Sequence, residues 1–533
     1  MVAHRPESAH AGGPEPASAL DGIRPEQHRI LAYASAIGPE FDFSLLATAM
    51  GIDEEVLSEE VERLVHLGLL RERPGGERFA FVEEAARARI YRSLTESRLR
   101  VLHRKIAEVL ERTHPDPPPE VLAELGRHYF LGKVPSKSYE FNRRAAEVAR
   151  SQDAPDVAAH HLQRALLDLV ALGGDRRRER AEVAETLGDL AYSTGDFPAA
   201  DRSYREALDL LGNDEPPLRA RLLLARAEIA REGLNVDRAV EGALAAQALF
   251  EEAGDRIGVA QTFRLLGRLE FQRGAYREAL EESMRALDQL APGEDPRFLG
   301  RLSIDIGNSF ALLGAEVRPV AIEWYERAVA RLREAGDWTE LARAYHNLGV
   351  AVGETHPQDG LDYLEQAREA AERAHDPRST GRALLSGVEM RLALGDLEEA
   401  SRDNEQAGRL LARLGDDLGS EQVAVNRGRM AEKRGQWDEA EQAYARAADM
   451  CRRLKLPADR AEVEFYLARL RHKTRDREGA RRAYRAAAEL GLPSVRPHLA
   501  SAFEELGREL DEPPFSPGPP EPAADRPPSR GDD

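Results

Sequence analysis

The amino-acid sequence predicts an all-α solenoid, a stack of antiparallel helix pairs. The main observation is a pair of small residues that recurs about every forty positions. The first members are Ala200, Ala239, Ala279, Ala321, Gly360, Ala400, Ala440 and Ala480, and the second are Ala207, Ala246, Ala286, Ala328, Ala367, Ala407, Ala447 and Ala487. A third set precedes most pairs: Gly188, Ala227, Gly267, Gly307, Gly349, Gly428 and Ala468. Small residues at fixed offsets let two helices approach closely, and the fixed period indicates stacked pairs.

Composition and charge favour a binding protein without nucleic-acid or membrane partners. The chain has 533 residues, of which 32% are charged, and a formal net charge of −20. An acidic total disfavours binding to nucleic acid or anionic lipid. The single cysteine excludes an internal disulfide, and a reducing compartment is expected. Because neither a signal peptide nor a membrane-spanning segment is apparent, the protein is predicted to be cytoplasmic.

Residues 23–83 are predicted to form a small domain of three helices and two strands. The helices begin at Pro25, near Leu45 and after the N-cap residue Asp53. The strands, 69–73 and 78–82, flank a turn that contains two glycines. Three helices followed by a two-stranded wing are typical of a winged helix-turn-helix domain.

The remaining boundaries follow from helical periodicity and turn residues. A linker helix is predicted over 84–119, irregular helix pairs over 120–174, and a regular array over 175–510 that ends in a capping helix near 495–510. The turns within the helix pairs are predicted at Gly195, Gly274, Gly314, Gly395 and Gly435. Residues 1–22 and the Pro-rich tail 511–533 are predicted to be disordered.

The repeat resembles the tetratricopeptide repeat. The spacing of Gly188, Gly195, Ala200, Tyr204 and Ala207 carries this resemblance, and the same spacing returns from Gly428 to Ala447. The resemblance covers roughly 380 residues. Its period is nearer 40 than the common 34, and in this it is similar to the repeats of kinesin light chains and of large bacterial and archaeal signalling regulators. The resemblance implies a concave groove that binds partner proteins.

The N-terminal module resembles the winged helix and helical linker of STAND-class signal-transduction ATPases. The residues that carry this resemblance are Phe41, Ile90, Tyr91, Leu94 and the segments 64–70, 78–81 and 98–107. Residues 82–84 depart from the family, which commonly has a histidine near the end of the wing. The sequence has no GxxxxGK[ST] motif, and the nearest candidate, Gly126 with Gly132-Lys133-Val134, lacks the Ser or Thr that would hold Mg²⁺. No cofactor is therefore expected.

The charges of the N-terminal module favour protein docking over DNA binding. The third helix, at the position of a recognition helix, carries Glu54, Glu55, Glu59, Glu60 and Glu62, whereas a DNA-reading helix should present cations. A basic docking surface is predicted from Arg71, Arg73, Arg78, Arg98, Arg100 and Arg104. This surface could contact an acidic partner or a phosphate backbone.

A partner-binding groove is predicted on the first helices of the repeats. Its residues are Arg301, Asn308, Arg343, Asn347, Arg382, Asn426 and Arg429. Asparagine can pair with a peptide backbone and arginine with carboxylates. Asn308, Asn347 and Arg382 resemble part of the clamp that chaperone-docking repeats use for a terminal carboxylate, although Ile304 stands where that clamp has lysine. The alternative is a solvated mixed-charge face, because equivalent positions hold Glu182, Glu185, Asp189, Glu228 and Glu389.

The sequence therefore predicts a non-enzymatic protein-interaction scaffold or regulatory adaptor. No catalytic or metal-binding constellation is apparent, since the adjacent histidines His160 and His161 lack further ligands at helical spacing. The expected partner is a protein or peptide with an extended, acidic segment, and a separate ATPase subunit is a candidate second partner. The alternative function is a winged-helix transcription regulator whose repeats act as a sensor.

Overall fold

The computed structural model describes residues 23–291, 293–496 and 499–513. It divides into two compact units, residues 1–258 and 259–533. The disorder predicted for residues 1–22, and for all but the first three residues of 511–533, concerns positions outside the described residues.

The N-terminal module contains three helices and a three-stranded antiparallel sheet. Its elements are α1 (Pro25–Ile37), β1 (Glu40–Asp42), α2 (Phe43–Met50), α3 (Glu54–His66), β2 (Leu70–Glu72) and β3 (Arg78–Phe81), with the strand order β1-β3-β2. Strand β1 is absent from the sequence prediction, because three residues show no alternation and form a strand only by pairing with β3, where Phe41 lies opposite Phe79. The winged-helix classification of this module stays a prediction.

The single linker helix predicted over 84–119 is wrong, since two helices occupy this segment. They are α4 (Glu84–Ser93) and α5 (Glu96–Thr113). Leu94 has an extended backbone (φ −81°, ψ 140°), and the Thr95 hydroxyl accepts a hydrogen bond from the amide of Arg98 at 3.4 Å. Threonine therefore acts as an N-cap that starts a new helix within a continuous apolar pattern.

The remaining helices of the first unit form an irregular group and two regular hairpins. Three helices, α6 (Pro119–Leu131), α7 (Pro135–Ser151) and α8 (Pro155–Leu172), occupy the segment predicted to hold irregular pairs. The hairpins are α9 (Arg177–Ser193) with α10 (Phe197–Leu211), and α11 (Pro216–Glu232) with α12 (Val236–Ala253). Helix α13 (Arg256–Gln272) crosses the division between the units.

The second unit continues the array of hairpins. After α13 its helices are α14 (Tyr276–Asp288), α15 (Pro296–Leu313), α16 (Arg318–Ala335), α17 (Trp338–Gly353), α18 (Pro357–Arg373), α19 (Pro377–Leu394), α20 (Leu397–Arg413), α21 (Asp417–Lys433), α22 (Trp437–Leu454), α23 (Pro457–Lys473) and α24 (Arg477–Glu489). Two short helices follow, α25 (Leu492–Val495) and α26 (Ala500–Glu509). Phe503 of α26 stacks on Tyr484 of α24 with ring centroids 4.1 Å apart, so the predicted capping element covers the last hairpin.

The recurring small residues lie at the contacts between helices. Every member of the recurring pairs from Ala200 to Ala487 is buried. A Cβ atom at Gly428 would lie 2.5 Å from the ring of Tyr444, so glycine is required where this tyrosine crosses the first helix. Gly195 and Gly435 have φ of +81° and +73° at their turns. The predicted all-α array of tetratricopeptide-type hairpins is confirmed.

Candidate functional site

A cavity of about 450 Å³ lies among the first helices α15, α17 and α19 of the second unit. Four of the seven predicted groove residues line it: Asn308, Arg343, Asn347 and Arg382. These residues belong to three successive hairpins, and the equal register of the hairpins brings them together. His346, Thr339, Ser379 and Glu340 also line the cavity, and the sequence analysis missed them.

A hydrogen-bond network fixes the orientation of both cavity asparagines. The Asn308 Oδ1 atom accepts hydrogen bonds from the Tyr325 hydroxyl at 2.9 Å and from Asn347 Nδ2 at 2.8 Å. The Asn347 Oδ1 atom lies 3.3 Å from His346 Nδ1. Because a carboxamide oxygen only accepts, Nδ1 of His346 carries the proton in this contact. Both carboxamide oxygens are therefore engaged inside the protein.

The groups left for a ligand are hydrogen-bond donors. Asn308 Nδ2 has no partner among the described residues, and Asn347 Nδ2 retains a second N–H. The Arg382 side chain is exposed and, within the described part of the chain, has neither an ion pair nor a hydrogen bond. The cavity thus offers two carboxamide nitrogens and a guanidinium to acceptor groups such as carbonyls and carboxylates.

The two other arginines near the cavity are held by carboxylates. Arg301 Nη2 lies 3.0 Å from Asp337 Oδ2, and Arg343 Nη2 lies 2.8 Å from Glu340 Oε2. Arg301 Nε also lies 3.4 Å from Glu340 Oε1. Because Glu340 is shared between these two arginines, its charge is compensated inside the protein, and Arg382 remains the uncompensated cation of the cavity.

His346 is the polar residue that links the cavity to the next first helix. Its Nε2 atom lies 3.0 Å from the hydroxyl of Ser386 in α19. Burial lowers the pKa of His346, with a smaller raising effect from Asn347 and a lowering effect from Arg382. The imidazole is therefore neutral near pH 7, and Nε2 accepts from Ser386. Position 346 directly precedes a predicted groove asparagine, and this was the only signal in the sequence that could have indicated it.

Asn426 and Arg429, the other two predicted groove residues, do not reach this cavity. Asn426 is fully buried (0% exposed), and its Nδ2 atom has no hydrogen-bond partner among the described residues, so its contact with a ligand stays a prediction. Arg429 Nη1 lies 3.6 Å from Glu389 Oε1. Both residues lie on the first helix α21, where Asn426 is buried and the Arg429 side chain stays 30% exposed.

The six arginines of the predicted basic docking surface lie on two separate elements, the β2–β3 wing and helix α5. Arg73 and Arg78 both pair with Glu40 of β1, at 2.9 and 3.3 Å. On α5, Arg100 pairs with Glu96, and Arg104 donates to the carbonyl of Gly132. Arg71 and Arg98 are exposed and have no partner within the described residues. Strand β1, which the sequence analysis missed, thus neutralises much of the basic wing.

The histidine pair at 160–161 has a structural environment. His161 Nδ1 lies 2.9 Å from Asn142 Oδ1, and burial lowers the pKa of His161 to about 4.

Within residues 23–291, 293–496 and 499–513, no three metal-ligand side chains cluster. Of the helices in these ranges, none is long and apolar enough to cross a membrane.

Comparisons with known proteins find similar folds. No family model and no curated protein matches the chain. A STAND protein with a tetratricopeptide repeat sensor from Pyrococcus horikoshii is 14% identical over 82% of this chain and 65% of that chain, with a TM-score of 0.47. The apo form of RapI is 12% identical over 67% of this chain and 98% of that chain, with a TM-score of 0.49. Aspartyl phosphate phosphatase F from Bacillus subtilis is 14% identical over 76% and 96%, with a TM-score of 0.44.

This chain spans about two thirds of the length of the Pyrococcus protein. At these identities and TM-scores, the similarities carry no argument about partner or activity. The fold and the cavity define a helical-repeat protein of the tetratricopeptide type, and its function has to be argued from the cavity itself.

Proposed function

We propose that this protein is a protein-interaction scaffold whose cavity among α15, α17 and α19 binds an extended, acidic segment of a partner. The observation that carries this proposal is that Asn308, Asn347 and Arg382 offer hydrogen-bond donors to a ligand in the cavity. Asn308 Oδ1 accepts two hydrogen bonds and Asn347 Oδ1 accepts one, so the asparagines have N–H donors left for a ligand. An extended peptide supplies free backbone carbonyls that can accept from them.

The charge of the cavity supports the acidic character of the partner segment. Asp337 pairs with Arg297 and Arg301, and Glu340 pairs with Arg301 and Arg343. Together with Arg382, four arginines stand against two carboxylates, so positive charge is left over. The uncompensated group, Arg382, is a planar donor that can form two parallel hydrogen bonds to one carboxylate. A carboxylate of the partner would therefore take the place next to Arg382.

The N-terminal module is the candidate dock for a second partner, a separate ATPase subunit. The exposed residues of α3 include Glu54, Glu55, Glu59 and Glu62. These carboxylates would repel a phosphate backbone, so the charge of α3 does not favour the alternative function of a DNA-binding regulator.

The experiment that tests the cavity uses two matched peptides and fluorescence anisotropy. One labelled peptide alternates Glu and Ser, and the other has Gln in place of each Glu. We expect the Glu peptide to bind more tightly, with an affinity that falls as salt is added. Arg382→Gln should weaken its binding by about tenfold, which corresponds to about 1.4 kcal/mol and to the lower end of a charged hydrogen bond.

The control is Arg413→Gln, which removes an exposed arginine of the neighbouring helix α20 outside the cavity. This variant changes the net charge by the same amount and should leave the affinity unchanged. Equal binding of the Glu and Gln peptides, or equal losses in the two variants, would contradict a specific acidic-segment site.

A further inference from the structure

A second pocket of the second unit lies among α20, α21 and α22, on helix faces that the cavity at Asn308 does not use. It has a volume of about 280 Å³. Its lining includes Ser401 and Asn404 of α20, and Arg427, Met430 and Ala431 of α21. The residues forty positions further along occupy the same register in the next hairpins, because the array has this period from Ala400 to Ala480.

In the next hairpins the corresponding space is closed by an ion pair. Glu441 stands at the position of Ser401, and Arg471 stands at the position of Ala431. Arg471 Nε and Nη2 both contact Glu441 Oε1, at 3.0 and 2.9 Å. Serine and alanine cannot form this pair, and Asn404 stands where the next hairpin has the larger Tyr444, so smaller side chains leave the pocket open between α20 and α21.

The pocket contains a buried polar atom that lacks a partner. Asn404 is 4% exposed, and its Nδ2 atom donates to the carbonyl of Val423 at 3.1 Å. Its Oδ1 atom receives no hydrogen bond from any residue that the structure describes. A buried acceptor without a donor is costly, so a ligand group that donates a hydrogen bond would be favoured here.

The other walls of the pocket suit an aromatic ring. Arg427 is held by Glu439 at 2.8 Å, and Arg434 donates to the carbonyl of Leu397 at 3.1 Å, so both guanidinium groups are fixed in place. Guanidinium groups and a methionine sulfur, here that of Met430, make favourable contacts with aromatic faces and edges. Each charged group of the wall has an opposite charge nearby: Arg427 has Glu439, Arg434 has Glu398, and Glu405 has Arg409. A neutral ligand group is therefore preferred to a charged one.

We infer that this pocket binds a tyrosine side chain presented by a partner segment. The ring would lie against Met430 between Arg427 and Arg434, and the hydroxyl would donate to Asn404. The pocket is too small for a drug-sized ligand and has the size of one side chain. This site is independent of the acidic-segment cavity, since the two share no lining residue.

The test follows the methionine methyl groups of the full chain by NMR while N-acetyl-tyrosinamide is added. Met430 lines the pocket, whereas Met50, Met284, Met390 and Met450 are not among its lining residues and serve as internal references. We expect a saturable shift of the Met430 signal, assigned with Met430→Leu, and a Kd on the order of 1 mM for a single side chain.

The matched variant, Ser401→Glu together with Ala431→Arg, introduces at the pocket the ion pair that Glu441 and Arg471 form in the next hairpins. It should fold, because the same pair exists forty residues away, and it should weaken the binding of N-acetyl-tyrosinamide by at least about tenfold. The variant Asn404→Leu leaves the pocket open but removes the acceptor, and it should also weaken binding.

Three outcomes overturn the inference. The first is an unchanged Met430 signal at a saturating excess of the probe. The second is a shift that persists in the Ser401→Glu/Ala431→Arg variant. The third is a Met430 shift caused by N-acetyl-argininamide but not by N-acetyl-tyrosinamide, which would assign the pocket to a cationic side chain. The acidic peptide is not used in this test, so failure here is distinct from failure of the proposed function.

Discussion

Helices α17 and α21 carry an asparagine at the same position, yet of these two asparagines Asn347 lines a cavity and Asn426 does not. Asn347 and Asn426 each lie nine residues after the start of their helix. Asn347 lines the cavity, whereas Asn426 is fully buried. The two helices therefore present the same residue in different environments, and the cause has to lie outside the helix itself.

The next first helix along the chain differs between the two regions. Nine residues into α19 stands Ser386, and nine residues into α23 stands Tyr466. Tyr466 is buried and packs on Tyr444 with ring centroids 5.6 Å apart. At the sixth residue of these helices, Arg382 has neither an ion pair nor a hydrogen bond among the described residues. Glu462 accepts hydrogen bonds from Tyr466 at 2.6 Å and from Arg496 at 2.9 Å. The helices that follow α17 and α21 therefore differ in size and charge at equivalent positions.

The largest effect is expected from Tyr466→Ser, which gives α23 the residue that α19 has at the same position. Removing a buried ring leaves a void and should destabilise this region by about 3–4 kcal/mol. Cys451, the only cysteine of the chain, is buried in the same core cluster. Its labelling rate by a thiol reagent should rise by at least about a hundredfold. An unchanged rate would show that Tyr466 does not stabilise the core cluster around Cys451.

The next largest effect is a pH dependence of local stability, which is expected around α21 and not around α17. The fifth residue of each first helix is small: Ala181, Ala220, Ala260, Gly300, Ala342, Gly381 and Ala461. The exception is Glu421 of α21, which is 5% exposed and accepts from the thiol of Cys451 at 3.3 Å. Burial raises the pKa of Glu421 to about 7, with further raising by Asp459 and Glu462 and lowering by Cys451 and Arg496.

The sign of this pH dependence follows from the protonated state. Below the ordinary pKa of a glutamic acid, the carboxyl is neutral in both folded and unfolded chains. As pH rises from about 4.5 to about 7, only the unfolded chain ionises, so local stability should fall by roughly 2–3 kcal/mol and then level off. Glu421→Gln should remove this dependence when Cys451 labelling is compared between pH 5 and pH 8. Parallel pH profiles for the two proteins would contradict it.

An intermediate effect is expected for Ser386→Tyr, the reverse exchange. The tyrosine should fill space between α17 and α19, where the Ser386 hydroxyl now contacts His346 of the cavity wall. Binding of the alternating Glu–Ser peptide should weaken by at least about tenfold, or about 1.4 kcal/mol. Ser386→Ala is the control, because it removes the contact with His346 without filling the cavity. If the two variants bind equally, the volume of the cavity is not what admits the peptide.

The smallest effect is expected for Arg429→Gln in helix α21. Arg429 is already near Glu389, and ion pairs with exposed partners contribute about 0–1 kcal/mol. Peptide affinity should change by less than about twofold, in contrast to Arg382→Gln. A loss at Arg429 as large as that at Arg382 would mean that the peptide extends over both hairpins and that the division between them is wrong.

The sequence predicted those features that depend on residues close together in the chain. The helices, their turn glycines and their buried alanines follow from a spacing that is visible within one repeat. Long-range features were missed, as with β1, which is a strand only because Glu40–Asp42 pairs with residues 78–80. The break at Leu94–Thr95 was missed because the apolar pattern runs through it and only the cap of Thr95 reveals a new helix.

The sequence by itself determined the repeat, its register and which helix positions hold asparagine and arginine. These properties are local, since a helix pair buries its small residues wherever it stands in the array. Only the tertiary structure decided that Asn308, Asn347 and Arg382 share an open cavity while Asn426 is covered. The next first helices carry serine at 386 and a buried tyrosine at 466, and the space in front of a first helix depends on how such distant residues pack together.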